Sequence, residues 1–300
     1  MLIGIFYSAS ANGISEAEIN ELAANLDFSA IPIKQNLLIF LMLMPFVFGL
    51  AALWLSVTAI HRRPFKTLIT PVSRLNWQKI FFAFALWFVM SAITELIFYA
   101  IEPANYHLQF QPEKFFVLML ISLIILPLQT SFEELMFRGY LLQGISLIAP
   151  FRWIPLLLTS VAFGLLHIWN PEVAAFGTEI TMAYYIGTGL FLGFLTLMDD
   201  SLELALGIHA ATNIYSALFV TFDDSALQTA ALFRTESIEM TWMLPAFLVG
   251  AAIFTYVVAK KYGWQDWSKW HGKIERPGLP IAAKSPFGAP EILDAENEGV

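Results

Sequence analysis

The sequence predicts an all-α protein, a polytopic transmembrane helical bundle of seven to eight membrane helices around a polar cavity. Three observations carry this. Of the 300 residues 58% are hydrophobic and only 13% charged, where an ordinary soluble domain holds roughly 45–50% and about 25%. Uncharged or nearly uncharged runs, each near the ~20 residues that a bilayer core requires, recur along the chain. A few ionisable residues sit within or at the ends of those runs, where each is costly without a partner or a task. Open strands cannot cross lipid, so the runs are read as helices.

Residues 1–35 form an N-terminal segment. Its opening "MLIGIFYSAS" lacks a preceding basic region, which argues against a cleaved signal peptide. Ser15, three residues before Glu18, fits a capping box that opens a short surface helix. A membrane domain is expected over 36–260, with hydrophobic runs at 36–60, 80–101, 115–132, 153–171, 180–198, 204–222 and 240–259. The shorter run 139–151 becomes an eighth span if it begins at the charged pair Glu133–Glu134, and is otherwise partial or re-entrant. The loop 61–79 carries five Lys or Arg and no acid, so it is assigned to the cytoplasmic side. The stretch from Lys260 to Arg276 is also basic, and an even number of spans between the two would put both on one side; the sequence leaves that parity open. Residues 261–300, rich in Pro, Gly and charge beyond Ile274, are expected to form a disordered polar tail. No internal repeat is visible.

A net charge of -8 and the lack of a basic stripe argue against nucleic-acid binding. Zero cysteines exclude disulfides, thiol nucleophiles and Cys-ligated metal sites.

The polar groups inside the runs carry the chemistry. In "SFEELMFRGYLLQG" (131–144), Glu134 and Arg138 stand at i and i+4 with the acid N-terminal, the favourable order for a helical ion pair. Glu133 is five residues from the arginine and points elsewhere. Glu134 is therefore expected to be neutralised, leaving Glu133 free to face the bundle interior as a general base. In "SVAFGLLHIWN" His167 follows Phe163 by four, stacking ring on imidazole, and in "GIHAATNIYS" His209 and Asn213 share one face. His167 could help Glu133 orient a water molecule and take its proton; His209 and Asn213 could bind the oxyanion that follows. Each feature alone has a plainer explanation, a bundle brace or an interhelical hydrogen bond. Three in order along one membrane domain favour a site. Glu95, in "SAITELIFYA", has no partner at helical spacing and is read as structural or interfacial. Asp199–Asp200 reads as a solvated turn closing a span, and "FFAFALWFVM" as lipid-facing or packing surface.

Taken together, EExxxR ("EELMFR"), FxxxH ("FGLLH") and HxxxN ("HAATN") closely resemble the CAAX protease and bacteriocin-processing family, also called Abi or CPBP, which includes the type II CAAX prenyl endopeptidases. The resemblance covers about residues 115 to 222. It implies an intramembrane endopeptidase in the prokaryotic cell membrane, acting on a membrane-associated peptide or protein, prenylated in the better-known relatives. It further implies that Glu133 and His167 activate water, that Glu134 and Arg138 complete the first motif, and that His209 and Asn213 hold the oxyanion. Two histidines and two carboxylates could ligate zinc. The spacing is not HExxH, however, and Arg138 competes with a cation, so no cofactor is favoured and zinc is the alternative. The rivals are a non-proteolytic scaffold or bacteriocin-immunity protein of the same fold, and a transporter, which would be expected to show inverted repeats.

Overall fold

The computed structural model describes residue 15, residues 34–236 and residues 239–275. The expected surface helix after Ser15 and the tail beyond residue 275 lie outside the described residues.

Helix α1 (Gln35–Leu55) runs on through a wider π-helical turn, Ser56–Ile60. Helix α2 (Trp77–Ile101) starts at Asn76, whose side chain accepts from the backbone N–H of Lys79 and caps the first turn. Helix α3 (Pro112–Glu134) begins with proline at its first position, where no backbone N–H is needed. It then passes without a break through a π-helical turn, Leu135–Leu141, into α4 (Leu142–Ser146), giving one helix of 35 residues. The run 139–151 is therefore not a span of its own: nothing between Ser131 and Ser146 stops the helix, and the charged motif lies inside it rather than at its mouth. At ~1.5 Å per residue this helix is about 52 Å long, well beyond the ~30 Å hydrocarbon core. Its last turns stand against the loop 61–79, where Tyr140 bonds His61 at 2.9 Å and the Gln143 amide donates to the Thr67 carbonyl at 3.0 Å.

Beyond it come α5 (Trp153–Leu165), α6 (Pro171–Phe176), α7 (Thr178–Asp199), α8 (Glu203–Leu218) and α9 (Met240–Tyr262). Three short strands, β1 (Tyr106–Leu108), β2 (Val220–Phe222) and β3 (Phe233–Thr235), make a sheet of order β1–β3–β2, with β1 antiparallel and β2 parallel to β3.

Five helices among the described residues are long and apolar enough to cross a membrane: α1 with its extension, α2, α3 with α4, α7 and α9. Helices α5 and α8, with 13 and 16 residues, are shorter. Along α8 most side chains are buried by its neighbours, so it is an inner helix of the bundle. The outer surface carries large apolar side chains such as Phe48, Phe81, Leu96 and Trp242, each at least 65% exposed. A continuous greasy exterior of this kind suits lipid and not water. The chain is an integral, multi-pass membrane protein with a helical-bundle fold.

The two basic segments share a side. Ion pairs tie that side together: Lys79 to Asp199 at 2.8 Å, Lys269 to Asp200 at 2.6 Å. Asp199 is thus buried and paired rather than solvated as the sequence suggested, because Lys79 crosses over from α2 to neutralise it. The boundary expected at 260/261 falls inside α9, and residues 263–275 return along the chain to pair Phe151 with Lys273. The sheet roofs the opposite side.

The tightest helix contact sets the position of α8. A Cβ added at Gly207 would lie 2.3 Å from the Ile80 carbonyl oxygen and 2.8 Å from the Ala83 Cβ, so only glycine lets α8 lie on α2 at this height. Gly207→Val is expected to lift α8 off α2, costing at least the ~1–3 kcal/mol typical of overpacking. Thermal unfolding in detergent micelles would show it as a lowered midpoint; an unchanged midpoint would show that α8 can shift freely.

Candidate active site

The three motifs meet on one ring. Phe163, at the end of α5, lies under the Arg138 guanidinium at 4.3 Å, beside His167 at 4.8 Å and edge-on to His209 at 6.1 Å. Phe137 packs on it at 5.5 Å from the π-helical turn of the first motif. A phenylalanine four residues before a histidine therefore serves as the platform that holds the other two motifs in place, combining a cation–π contact with edge-to-face packing.

Glu134 and Arg138 pair at 2.8 Å with both side chains fully sealed from solvent. Arg138 also donates to the Gly189 carbonyl at 3.3 Å. The helix crossing that brings this carbonyl close depends on Gly189, where a Cβ would stand 3.0 Å from the Ser160 backbone.

His209 joins the two carboxylates. Its Nδ1 lies 2.7 Å from Glu134 Oε1 and its Nε2 3.5 Å from Glu133 Oε2. Because Nδ1 donates to Glu134, Nε2 faces Glu133 with a lone pair unless a proton sits between them. At 3.5 Å that contact is an ion pair when the imidazole carries both protons. Glu133 keeps 12% of its side chain exposed where Glu134 keeps none. Glu134 is structural ballast to the arginine and the histidine, while Glu133 opens onto a cavity.

That cavity, of about 290 Å³, is lined by Glu133, His167, His209 and Asn213 together. His167 donates from Nδ1 to the Phe163 carbonyl at 2.8 Å and stacks on Tyr185 at 4.4 Å. Its Nε2 is left as the acceptor. The side chain that touches Glu133 is His209 and not His167, which lies across the same cavity. The Asn213 amide donates to Gln129 Oε1 at 3.0 Å, and Gln129 lines the same cavity as Glu133 one helical turn before it. All six residues singled out in the sequence therefore belong to one connected cluster.

Two cavity residues were not anticipated. Gln129 precedes Glu133 by four on the same helix, so helical spacing alone could have placed it on the same face. Glu95, read as structural, also lines the cavity and accepts from the Tyr106 hydroxyl at 2.6 Å. Its partner lies eleven residues away beyond the end of α2, outside any helical pattern.

Glu134 is held by Arg138, His209 Nδ1 by Glu134 and His167 Nδ1 by a carbonyl, and among the described residues no three His, Asp or Glu are grouped to hold a metal ion.

Residues 112–215 match the family described as Type II CAAX prenyl endopeptidase Rce1-like. An uncharacterized protein of Bacillus subtilis (strain 168), YyaK, is 36% identical over 181 residues, which are 60% of this chain and 60% of that relative. The chain thus spans 60% of the length of the curated relative it matches. No solved structure matches. The segment 112–215 contains every motif residue from Glu133 to Asn213, and over that segment the chain is similar to the Rce1-like type II CAAX prenyl endopeptidases.

Proposed function

We propose that the protein is an intramembrane endopeptidase that hydrolyses a peptide bond of a membrane-associated or lipidated substrate with water activated by Glu133. The observation that carries this is the cluster itself: a cavity-facing carboxylate beside a sealed, charge-neutralised one, bridged by one histidine, inside a lipid-embedded bundle. A buried polar network of this size is costly to keep unless it acts on something.

In this mechanism a water molecule in the cavity lies between the Glu133 carboxylate and the Nε2 acceptor of His167. Glu133 takes its proton as the oxygen attacks the scissile carbonyl. The Asn213 amide and the His209 Nε2–H donate to the oxyanion; the Glu134 carboxylate on Nδ1 holds that imidazole in place. Glu133 then returns the proton to the leaving amine, releasing a new carboxylate and a new amino terminus. No covalent intermediate and no metal ion take part. The family match supports peptide hydrolysis of the CAAX type. A prenylated substrate is the family's suggestion, and the aromatic and methionine wall of the cavity would accept an apolar chain.

The test is direct. Purified protein in proteoliposomes, given a prenylated and an unprenylated peptide of the same sequence, is expected to cleave the former, and to do so equally well after exhaustive chelation. Bound stoichiometric zinc with chelator-sensitive cleavage would overturn the metal-free mechanism. Absence of cleavage, with the cavity intact, would favour the scaffold or immunity alternative.

A further inference from the structure

The cavity holds a second carboxylate that the hydrolytic cluster does not use. Glu95 reaches it from α2. Its polar partner is the neutral Tyr106 hydroxyl, and among the described residues no Lys, Arg or His forms an ion pair with it. The cationic groups nearest the cluster are committed: Arg138 to Glu134, and His209 between the two glutamates. The wall around Glu95 is also polar, with Ser91, Thr94 and Ser216 facing the same space. A carboxylate kept at a cavity wall within a membrane bundle, with no cation of its own, is costly and marks a place where a ligand supplies the charge.

We infer that Glu95 is a substrate-recognition residue that receives a basic side chain, Lys or Arg, of the peptide substrate; this rests on the peptide-hydrolase reading above. Its distance from the hydrolytic cluster suits that role. Trp87 of α2 donates to Thr212 at 2.8 Å, fixing its height next to Asn213. Glu95 follows Trp87 on the same helix, about 12 Å further along at ~1.5 Å per residue. An extended peptide rises ~3.3 Å per residue, so the basic residue sits roughly three to four positions from the scissile bond.

The competing account is purely structural, in which Glu95 ties β1 and the roof sheet to α2 through Tyr106. Glu95→Gln separates the two, because the amide oxygen still accepts from Tyr106 while the charge is gone. The experiment walks a single Lys along an otherwise uncharged peptide, with Gln at the same position as reference. It reads kcat/KM for wild type, Glu95→Gln and Glu95→Lys, and binding of the same peptides to the Glu133→Gln variant by fluorescence anisotropy. Wild type is expected to prefer Lys at one position by roughly ten- to hundredfold, the scale of a charge-assisted hydrogen bond. The preference should collapse in Glu95→Gln at an unchanged unfolding midpoint, and turn toward an Asp-bearing peptide in Glu95→Lys. A Lys preference that survives Glu95→Gln, or equal cleavage of all peptides, would overturn the inference. Lys-dependent binding that disappears when Glu95→Gln is added to Glu133→Gln, with no peptide cleaved by wild type, would instead sink the hydrolase reading and uphold the role of Glu95.

Discussion

Glu133→Gln is expected to fold as the wild type does and to cleave no peptide above background. The replacement has the same shape, and its N–H can donate to His209 Nε2 across the contact that Glu133 makes. What it lacks is a basic lone pair able to take a proton from water. Loss of a positioned general base costs ~10²–10⁴ in rate, and here no second carboxylate can substitute, since Glu134 is sealed behind Arg138. Single-turnover cleavage in proteoliposomes, with unfolding measured alongside, reads both halves. Peptide processing near the wild-type rate would show that Glu133 is not the base.

The second large effect is on stability. Arg138→Leu is expected to cripple the fold, because it strands the Glu134 carboxylate in a site with no solvent access. Breaking one side of a buried pair costs ~3–5 kcal/mol, whereas replacing both sides with apolar groups is often neutral. The double variant Glu134→Leu/Arg138→Leu should therefore regain most of the folded yield. The native pair is itself imperfectly satisfied: Glu134 Oε2 and Arg138 Nε are buried without hydrogen-bond partners. Unfolding by denaturing detergent would rank wild type and double variant close together, with the single variant far below. A single variant as stable as the wild type would mean that Glu134 is held neutral or is reached by water. Although it folds, the double variant is expected to be inactive, since His209 loses the carboxylate at its Nδ1.

How much of this was legible in the sequence follows from the range of each interaction. Membrane class, helical bundle and the Glu134–Arg138 pair are local, set by run length and i,i+4 spacing, and they could be read directly. The convergence of His167, His209 and Glu133 on a common cavity was inferred from order along the chain. Their contact order was not accessible: His209 reaches both glutamates, because the glycine-dependent approach at Gly207 fixes the height of α8. The continuity of α3 through Ser146 was missed, since charged residues look like a helix end when hydropathy alone is followed, while the backbone simply widens into a π-helical turn there. The partner of Glu95 was not legible because Tyr106 approaches from a strand, and no helical periodicity describes such a contact.

The bridge from Glu134 to His209 joins residues 75 apart in sequence, and this sets an order on assembly. Chains emerge N-terminus first at ~5–20 residues per second, so α3 enters the bilayer some seconds, about 4 to 15, before its histidine partner exists. During that interval Glu134 and Arg138, one helical turn apart, can neutralise each other within α3 alone. Glu133 has only Gln129 on the same helix to bond with. The arginine of the first motif thus neutralises Glu134 in the newborn helix as well as in the finished bundle, whereas Glu133 meets its histidine only once α8 has been added.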